Sequence, residues 1–241
     1  MGWFHSWFGT KYYKLLYRHR DEVEAVAFLD RLMGHLQIPS QSTILDVACG
    51  TGRHARQLAK MGFEVTGFDV SESSIDEAKE NKPENTNFFL HDMRLPFPVQ
   101  GFDLALNLFT SFGYFKTEEE DIAVVQNINN ALSPKGLFVL DFFNVAHVRQ
   151  CLVPEQQFQL EGIRFLIRKI LRENLIIKDI YLTDGSERFH FEESVKLLDF
   201  DDFRRYLRLC HFEILEVFGN YELGIFEPAQ SERLIIIARK D

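Results

Sequence analysis

The chain has 241 residues, 46% of them hydrophobic, and a formal net charge of −9. That length supports one α/β domain with an added subdomain, and the acidic balance argues against a broad basic surface that grips nucleic acid. No apolar run approaches a membrane-spanning length, and Cys49, Cys151 and Cys210 are odd in number and widely spaced, so reduced thiols in a cytoplasmic compartment are expected rather than a disulfide frame.

The N-terminus crowds Trp3, Phe4, Trp7, Phe8, Tyr12, Tyr13 and Tyr17 ahead of any strand. It lacks the continuous apolar core and small-residue cleavage site of a signal peptide. Met1 to Ser6 match a myristoylation pattern, but the bulky aromatics make that a chance match. The spacing of Val23, Val26, Ala27, Leu29, Leu32 and Met33 predicts an amphipathic helix over Asp21 to Leu36. Residues 1–36 are therefore read as a helical lid.

Ile44, Leu45 and Val47 read as a short buried strand. Gly50 and Gly52 then allow a tight turn, and His54 to Met61 have helical spacing. Phe63 to Phe68 form a second strand, ending in Asp69. Ser71 is placed to cap a helix carrying Ile75 and Ala78. Asn87 to Leu90 and Phe102 to Leu106 are the third and fourth strands. Glu118 to Leu132 is a helix stopped by Ser133-Pro134-Lys135-Gly136, and Leu137 to Asp141 is the fifth strand. After Asn144 the periodicity changes. Phe158 to Leu160, Ile163 to Arg172, Leu175 to Leu182 and Arg188 to Leu198 alternate apolar and polar residues, with hairpin turns at Glu173-Asn174 and Thr183 to Ser186. An antiparallel subdomain is thus expected over 145–199, inserted before a helix at Asp201 to Cys210. Two closing strands follow, at Glu213 to Tyr221 and Arg233 to Arg239.

A strand, a glycine turn and a helix N-terminus form a site where backbone N–H groups face a ligand. An acid at the end of the second strand, Asp69, is placed to accept from ribose hydroxyls. Asp46 sharpens the reading. A carboxylate just before the glycines would repel a pyrophosphate and suits a cationic head. Asp46 and Asp69 together suit a ligand with an ammonium group, a ribose and no phosphate, which is the chemistry of S-adenosyl-L-methionine.

The run Leu45-Asp46-Val47-Ala48-Cys49-Gly50-Thr51-Gly52 closely resembles motif I of class I S-adenosylmethionine-dependent methyltransferases. The resemblance covers Ile44 to about Asn144 well and the last two strands more loosely. It implies a Rossmann-like, seven-stranded, mostly parallel sheet with helices on both faces, in the order 3-2-1-4-5-7-6 with the seventh strand antiparallel. It puts Asp46, Ala48, Gly50 and Gly52 at the methionine part and Asp69 on the ribose. Val70 would pack on the adenine. Asp92 would accept from the adenine amine with Met93 beside the ring, or would simply start a loop. Asn107 would meet the methionine amine through its backbone carbonyl. Tyr12-Tyr13-x3-Tyr17, Thr110 to Tyr114 and Gly219-Asn220-Tyr221 resemble a bacterial small-molecule subgroup. The loop Asn107-Leu108-Phe109-Thr110 departs from the Asn/Asp-Pro-Pro-Tyr signature of enzymes that N-methylate DNA bases.

A sulfonium already activates its methyl group, so the chain need only align a nucleophile, exclude water and sometimes supply a base. Candidate pocket residues are Ser111, Tyr114, Asp141, Asn144 and His147, with Tyr114 and Tyr17 the candidate catalytic groups. Tyr12, Tyr13 and Tyr17 form either a lid or an aromatic packing face. Arg20 either pairs with the methionine carboxylate or is a solvated charge. No metal is expected, since the eight histidines show no HExxH or paired CxxC pattern. The expected partner is a small-molecule methyl acceptor, with no nucleic acid and no membrane. The insert is either a substrate cap or a homodimer interface. The alternatives are a nucleotide-dependent oxidoreductase and a non-catalytic S-adenosylmethionine-binding protein.

Overall fold

The computed structural model describes residues 7–17, 22–80 and 82–241, with backbone alone for 22–24. Trp3, Phe4 and Arg20 of the sequence reading lie outside them.

Strand β1 (Thr43–Val47) is buried along nearly its whole length, as an inner parallel strand must be. It pairs in parallel with β2 (Glu64–Asp69) and β4 (Phe102–Asn107). β3 (Thr86–Leu90) lies beside β2, and β5 (Leu132–Phe143) beside β4. β11 (Arg233–Lys240) runs antiparallel against β5 and against β10 (Phe212–Phe218). The order β10-β11-β5-β4-β1-β2-β3 is the one the resemblance implies, with β10 and β11 as its sixth and seventh strands.

Period-two alternation sends neighbouring side chains to opposite faces. Ile44, Leu104 and Val139 meet α2 (Glu22–Leu36), α3 (Arg53–Lys60) and α4 (Glu72–Lys79). Leu45, Ala105 and Phe138 meet α5 (Glu118–Ala131) and α7 (Phe200–Leu209). Local signals set the helix starts. Ser71 Oγ accepts from the Ser74 amide at 3.3 Å, and capping boxes start α5 at Thr117/Glu120 and α7 at Asp199/Asp202.

The insert is a four-stranded antiparallel meander, β6 (Glu155–Leu160), β7 (Ile163–Arg172), β8 (Leu175–Asp184) and β9 (Glu187–Lys196). Its inner face does not look onto the main sheet. Phe165, Ile167, Ile180 and Leu182 pack instead on Trp7, Tyr12 and Leu16, the last two from α1 (Lys11–Tyr17). At the far end of β9, buried Lys196 reaches Asp121 of α5 at 2.6 Å and so pins the insert to the main domain.

Several boundaries differ from the sequence reading. Helix α2 is core, not lid: Phe28, Leu29 and Leu32 are fully buried against Ile44 and Leu58. Among the described residues of the expected 1–36 lid, those that pack on the insert lie in 7–17. The strand β5 begins at Leu132, because Phe102 pairs with Leu132 and Leu104 with Leu137, leaving Ser133 to Gly136 as a bulge. A short helix α6 (Val145–Cys151), capped by Asn144, precedes the insert and has too few residues for a periodic signal. Strand β8 runs to Asp184, which pairs with Glu187, so the second hairpin turns on Gly185-Ser186 alone. No described helix is long and apolar enough to cross a membrane.

Candidate active site

At the carboxyl end of β1 the backbone turns through left-handed conformations at Ala48 (φ 60°), Gly50 (φ 55°) and Gly52 (φ 76°). The two glycines serve different ends. A Cβ on Gly50 would meet open space, and Gly50 lies on the wall of a cavity of about 580 Å³. A Cβ on Gly52 would lie 2.8 Å from the Phe88 ring, so this glycine admits β3 to the loop. Gly52 does not line the cavity; Ala48 does, holding at Cα a geometry that costs a non-glycine residue about 1–2 kcal/mol.

Asp46 and Asp69 both reach this cavity. Asp46 is 1% exposed, and its Oδ2 has no hydrogen-bond partner among the described residues. Burial, and then the charge of Asp69, push its carboxyl up to about 7, against the pull of Arg53 and the Ala55 amide. Asp69 is held by backbone: Gly50 N donates to Oδ2 and Ser71 N to Oδ1, each at 2.9 Å. Burial raises its pKa, and those amides oppose the shift. Each oxygen keeps accepting capacity for a ligand hydroxyl.

Val70, Asp92 and Met93 line the next part of the wall. Asp92 is clamped by Arg94: Nη2 donates to its Oδ2 at 2.6 Å, Nε donates to both its oxygens at 3.1 Å, and Arg94 Nη1 continues to Glu120 at 2.7 Å. The clamp presets the orientation of Asp92.

Two residues that the sequence reading missed, Arg53 and His54, open α3 on the cavity wall. The His54 ring stacks on Phe109 at 4.9 Å, and Arg53 Nη2 lies 3.2 Å from His54 Nε2. Burial and the Arg53 charge lower the His54 pKa to about 3. The imidazole is therefore neutral, and Nε2 accepts, since a guanidinium only donates. A sequence signal existed: both residues directly follow the last glycine, in the first helical turn.

The loop after β4 is strained, with Phe109 at φ 55° and Thr110 at φ 64°. Asp141, fully buried, holds it. Phe109 N donates to Asp141 Oδ2 at 2.7 Å, Tyr221 OH at 3.1 Å, and Arg233 Nε donates to Oδ1 at 2.8 Å and Arg233 Nη2 to Thr110 Oγ1 at 3.0 Å. Asp141 is thus an anchor of the loop and does not line the cavity. Asn107 is also buried, donating to the Val47 carbonyl at 3.1 Å, and the next residue, Leu108, takes the wall position. Asn144 caps α6, and His147 lies on α6 beside Cys151; neither is on the wall. Tyr12 donates to Asp184 at 3.1 Å and packs 5.0 Å from Phe189, away from the cavity.

Ser111, Tyr114, Tyr13, Tyr17 and Phe8 do line it. The Tyr114 hydroxyl donates to the Thr110 carbonyl, and the Tyr17 hydroxyl to Glu193 at 2.7 Å. Four rings run in series along this side. Tyr17 and Tyr13 are 4.8 Å apart, Tyr13 and Phe8 4.9 Å, and Phe8 and Tyr114 5.6 Å. From the insert, Glu161 alone among the described residues reaches the wall.

A methyltransferase-domain family model matches residues 44–136. The chain is 31% identical over 218 residues to the Bacillus subtilis protein named "Putative methyltransferase YqeM", covering 84% of this chain and 86% of that one. The chain belongs to the S-adenosylmethionine-dependent methyltransferases.

Methyltransferase likeness extends further. Over 105 residues the chain is 36% identical to the dTDP-3-amino-3,4,6-trideoxy-alpha-D-glucopyranose N,N-dimethyltransferase of Streptomyces venezuelae, covering 43% of each. The fold matches an S-adenosylmethionine-dependent methyltransferase of Clostridium acetobutylicum at a TM-score of 0.81 and 20% identity, over 95% of this chain and 96% of that one. Family membership sets aside the oxidoreductase alternative. The methyl donor also fits this cavity on physical grounds. The volume is within the roughly 300–1,000 Å³ that holds a cofactor-sized ligand. The unpartnered oxygen of Asp46 asks for a cationic donor, and Asp69 offers paired acceptors.

Proposed function

We propose that this methyltransferase transfers a methyl group to an amine of a small molecule. The observation that carries the reading is the unbroken row of rings, Tyr17-Tyr13-Phe8-Tyr114, along the cavity. Aromatic faces attract a cation lying over them, so they favour an amine that becomes a methylated ammonium as the bond to carbon forms. The amino-sugar N,N-dimethyltransferase among its relatives supports the same reading.

In this reading Asp46 Oδ2 takes the ammonium end of S-adenosylmethionine, and Arg53 takes its carboxylate. Asp69 accepts from the ribose hydroxyls, Val70 and Met93 flank the adenine, and Asp92 accepts from its amine. The bound cofactor supplies a methyl group activated by its sulfonium. The chain's own work is then alignment and the exclusion of water. Leu108, Phe109 and Ser111 bound the reacting end, held by the Asp141–Arg233 anchor. Residues 7–17 close the cavity, and the insert acts as a cap by carrying them, since α1 and Trp7 occupy its inner face.

The test is methyl transfer from radiolabelled S-adenosylmethionine to a panel of small amines beside matched alcohols, thiols and carboxylates. Label in amines supports the proposal. Label confined to oxygen or sulfur acceptors, or to nucleic acid or protein, overturns it.

A further inference from the structure

Three separate stretches of chain meet at Glu193. It lies on β9 with a side chain 13% exposed. Trp7 Nε1 donates to Oε1 at 2.6 Å. The Tyr17 hydroxyl lies 2.7 Å from both carboxylate oxygens. Lys178, one strand over on β8, reaches Oε2 at 3.4 Å and also donates to the Tyr17 hydroxyl. Its ammonium sits 4.5 Å from the centre of the Tyr17 ring.

The donors on Glu193 divide into two kinds. Lys178 belongs to the same sheet and is the cross-strand partner of Glu193, so its place beside the carboxylate is set by the pairing of β8 with β9. Trp7 and Tyr17 belong to the segment that packs over the insert, and Tyr17 lines the cofactor cavity. Trp7 also meets Tyr13 edge-on at 5.6 Å, so the same carboxylate holds two neighbouring rings of the wall. Apolar packing of α1 on the insert supplies adhesion without fixing register. A largely buried carboxylate with directional donors fixes it. When those donors leave, Lys178 still compensates the carboxylate, so opening does not strand a lone buried charge.

We propose that Glu193 is a positioning residue that latches the Trp7–Tyr17 segment to the insert and so sets how long the methyl donor stays in the cavity. The inference rests on the cavity holding the cofactor and is independent of which acceptor is methylated, so the amine reading can fail without it.

The test uses the full chain with Glu193→Gln, and with Tyr17→Phe as a milder variant that removes one hydroxyl. Dissociation of S-adenosylhomocysteine is followed by surface plasmon resonance, and amide exchange is mapped by mass spectrometry. Glu193→Gln is expected to speed dissociation roughly tenfold, the size of losing charge-assisted hydrogen bonds. Exchange in residues 7–17 accelerates with it, while β1, β4 and β5 keep their protection. Tyr17→Phe moves both in the same direction by less. Dissociation within about twofold of the parent, despite faster exchange in 7–17, overturns the inference. Unchanged exchange in 7–17, or lost protection across the main sheet as well, overturns it too.

Discussion

Protonation of Asp46 is expected to control cofactor affinity. Its folded-state pKa is about 7 against a reference of 3.8, raised first by burial. The ammonium of the ligand stabilises the ionised form, so binding at lower pH must first expel a proton. At pH 6 only about one molecule in eleven is ionised, and affinity falls about tenfold below its plateau; at pH 5 the loss approaches about a hundredfold. The assay is calorimetric titration of S-adenosylhomocysteine between pH 5 and 7.5, beside 5′-methylthioadenosine. The latter lacks the amino-acid part, reports the ribose and adenine contacts alone, and is expected to give the flatter curve. Asp46→Asn should remove the slope and leave affinity low throughout. Stability gives an independent check of sign. A carboxyl whose folded pKa is raised binds protons more readily folded than unfolded, so the free protein loses stability as pH rises from about 4 to 7. The shift of about 3 units corresponds to about 4 kcal/mol at about 1.36 kcal/mol per unit, an upper bound because the chain relaxes. Saturating S-adenosylhomocysteine should flatten that dependence. A flat affinity profile for S-adenosylhomocysteine, or an equal slope for 5′-methylthioadenosine, refutes the reasoning.

Asp69→Ala is expected to weaken S-adenosylhomocysteine and 5′-methylthioadenosine alike, by at least roughly tenfold, since both carry the ribose; calorimetry on a folded variant checks it. Arg53→Gln should weaken S-adenosylhomocysteine by about tenfold and leave 5′-methylthioadenosine unchanged, because only the former has a carboxylate. Gly52→Ala should lower stability by about 1–3 kcal/mol in urea unfolding, since its φ of 76° and a Cβ 2.8 Å from Phe88 must both be accommodated, and Phe88→Leu should recover part of the loss. Asp141→Asn should leave S-adenosylhomocysteine affinity within about threefold yet speed amide exchange at Phe109 and Thr110, because the anchor holds the strained loop and not the cofactor.

The parts of the site legible in the sequence were those built from neighbours along the chain. The run Asp46 to Gly52, with Asp69 at the end of the next strand, carries a loop geometry and a pair of charges in a short stretch. Element order and short apolar runs likewise mark each core strand locally, and Ser71 marks its own helix start. These features carried the family resemblance, and the resemblance implied the sheet order before any contact was known.

Residue contacts over long separations were not legible there. Gly52 looked like a ligand glycine, yet it is needed for a phenylalanine 36 positions on, whose approach only the pairing of β2 with β3 creates. Asp141 and Asn107 have the residue types of pocket groups, but their partners are Arg233 of β11, Tyr221 of the loop between β10 and β11, and the carbonyl of Val47, and those partners turn them into anchors. Tyr12, Tyr13 and Tyr17 share one helix, and helical rotation alone cannot say which face meets the cavity. The insert decides: its inner face buries Tyr12 and leaves Tyr13 and Tyr17 on the wall. The sequence by itself determined the cofactor chemistry, because that is written in local pattern and charge, and through the family resemblance it implied the order of the sheet. Tertiary structure alone decided which matching residues line the cavity, because lining depends on what distant segments bury.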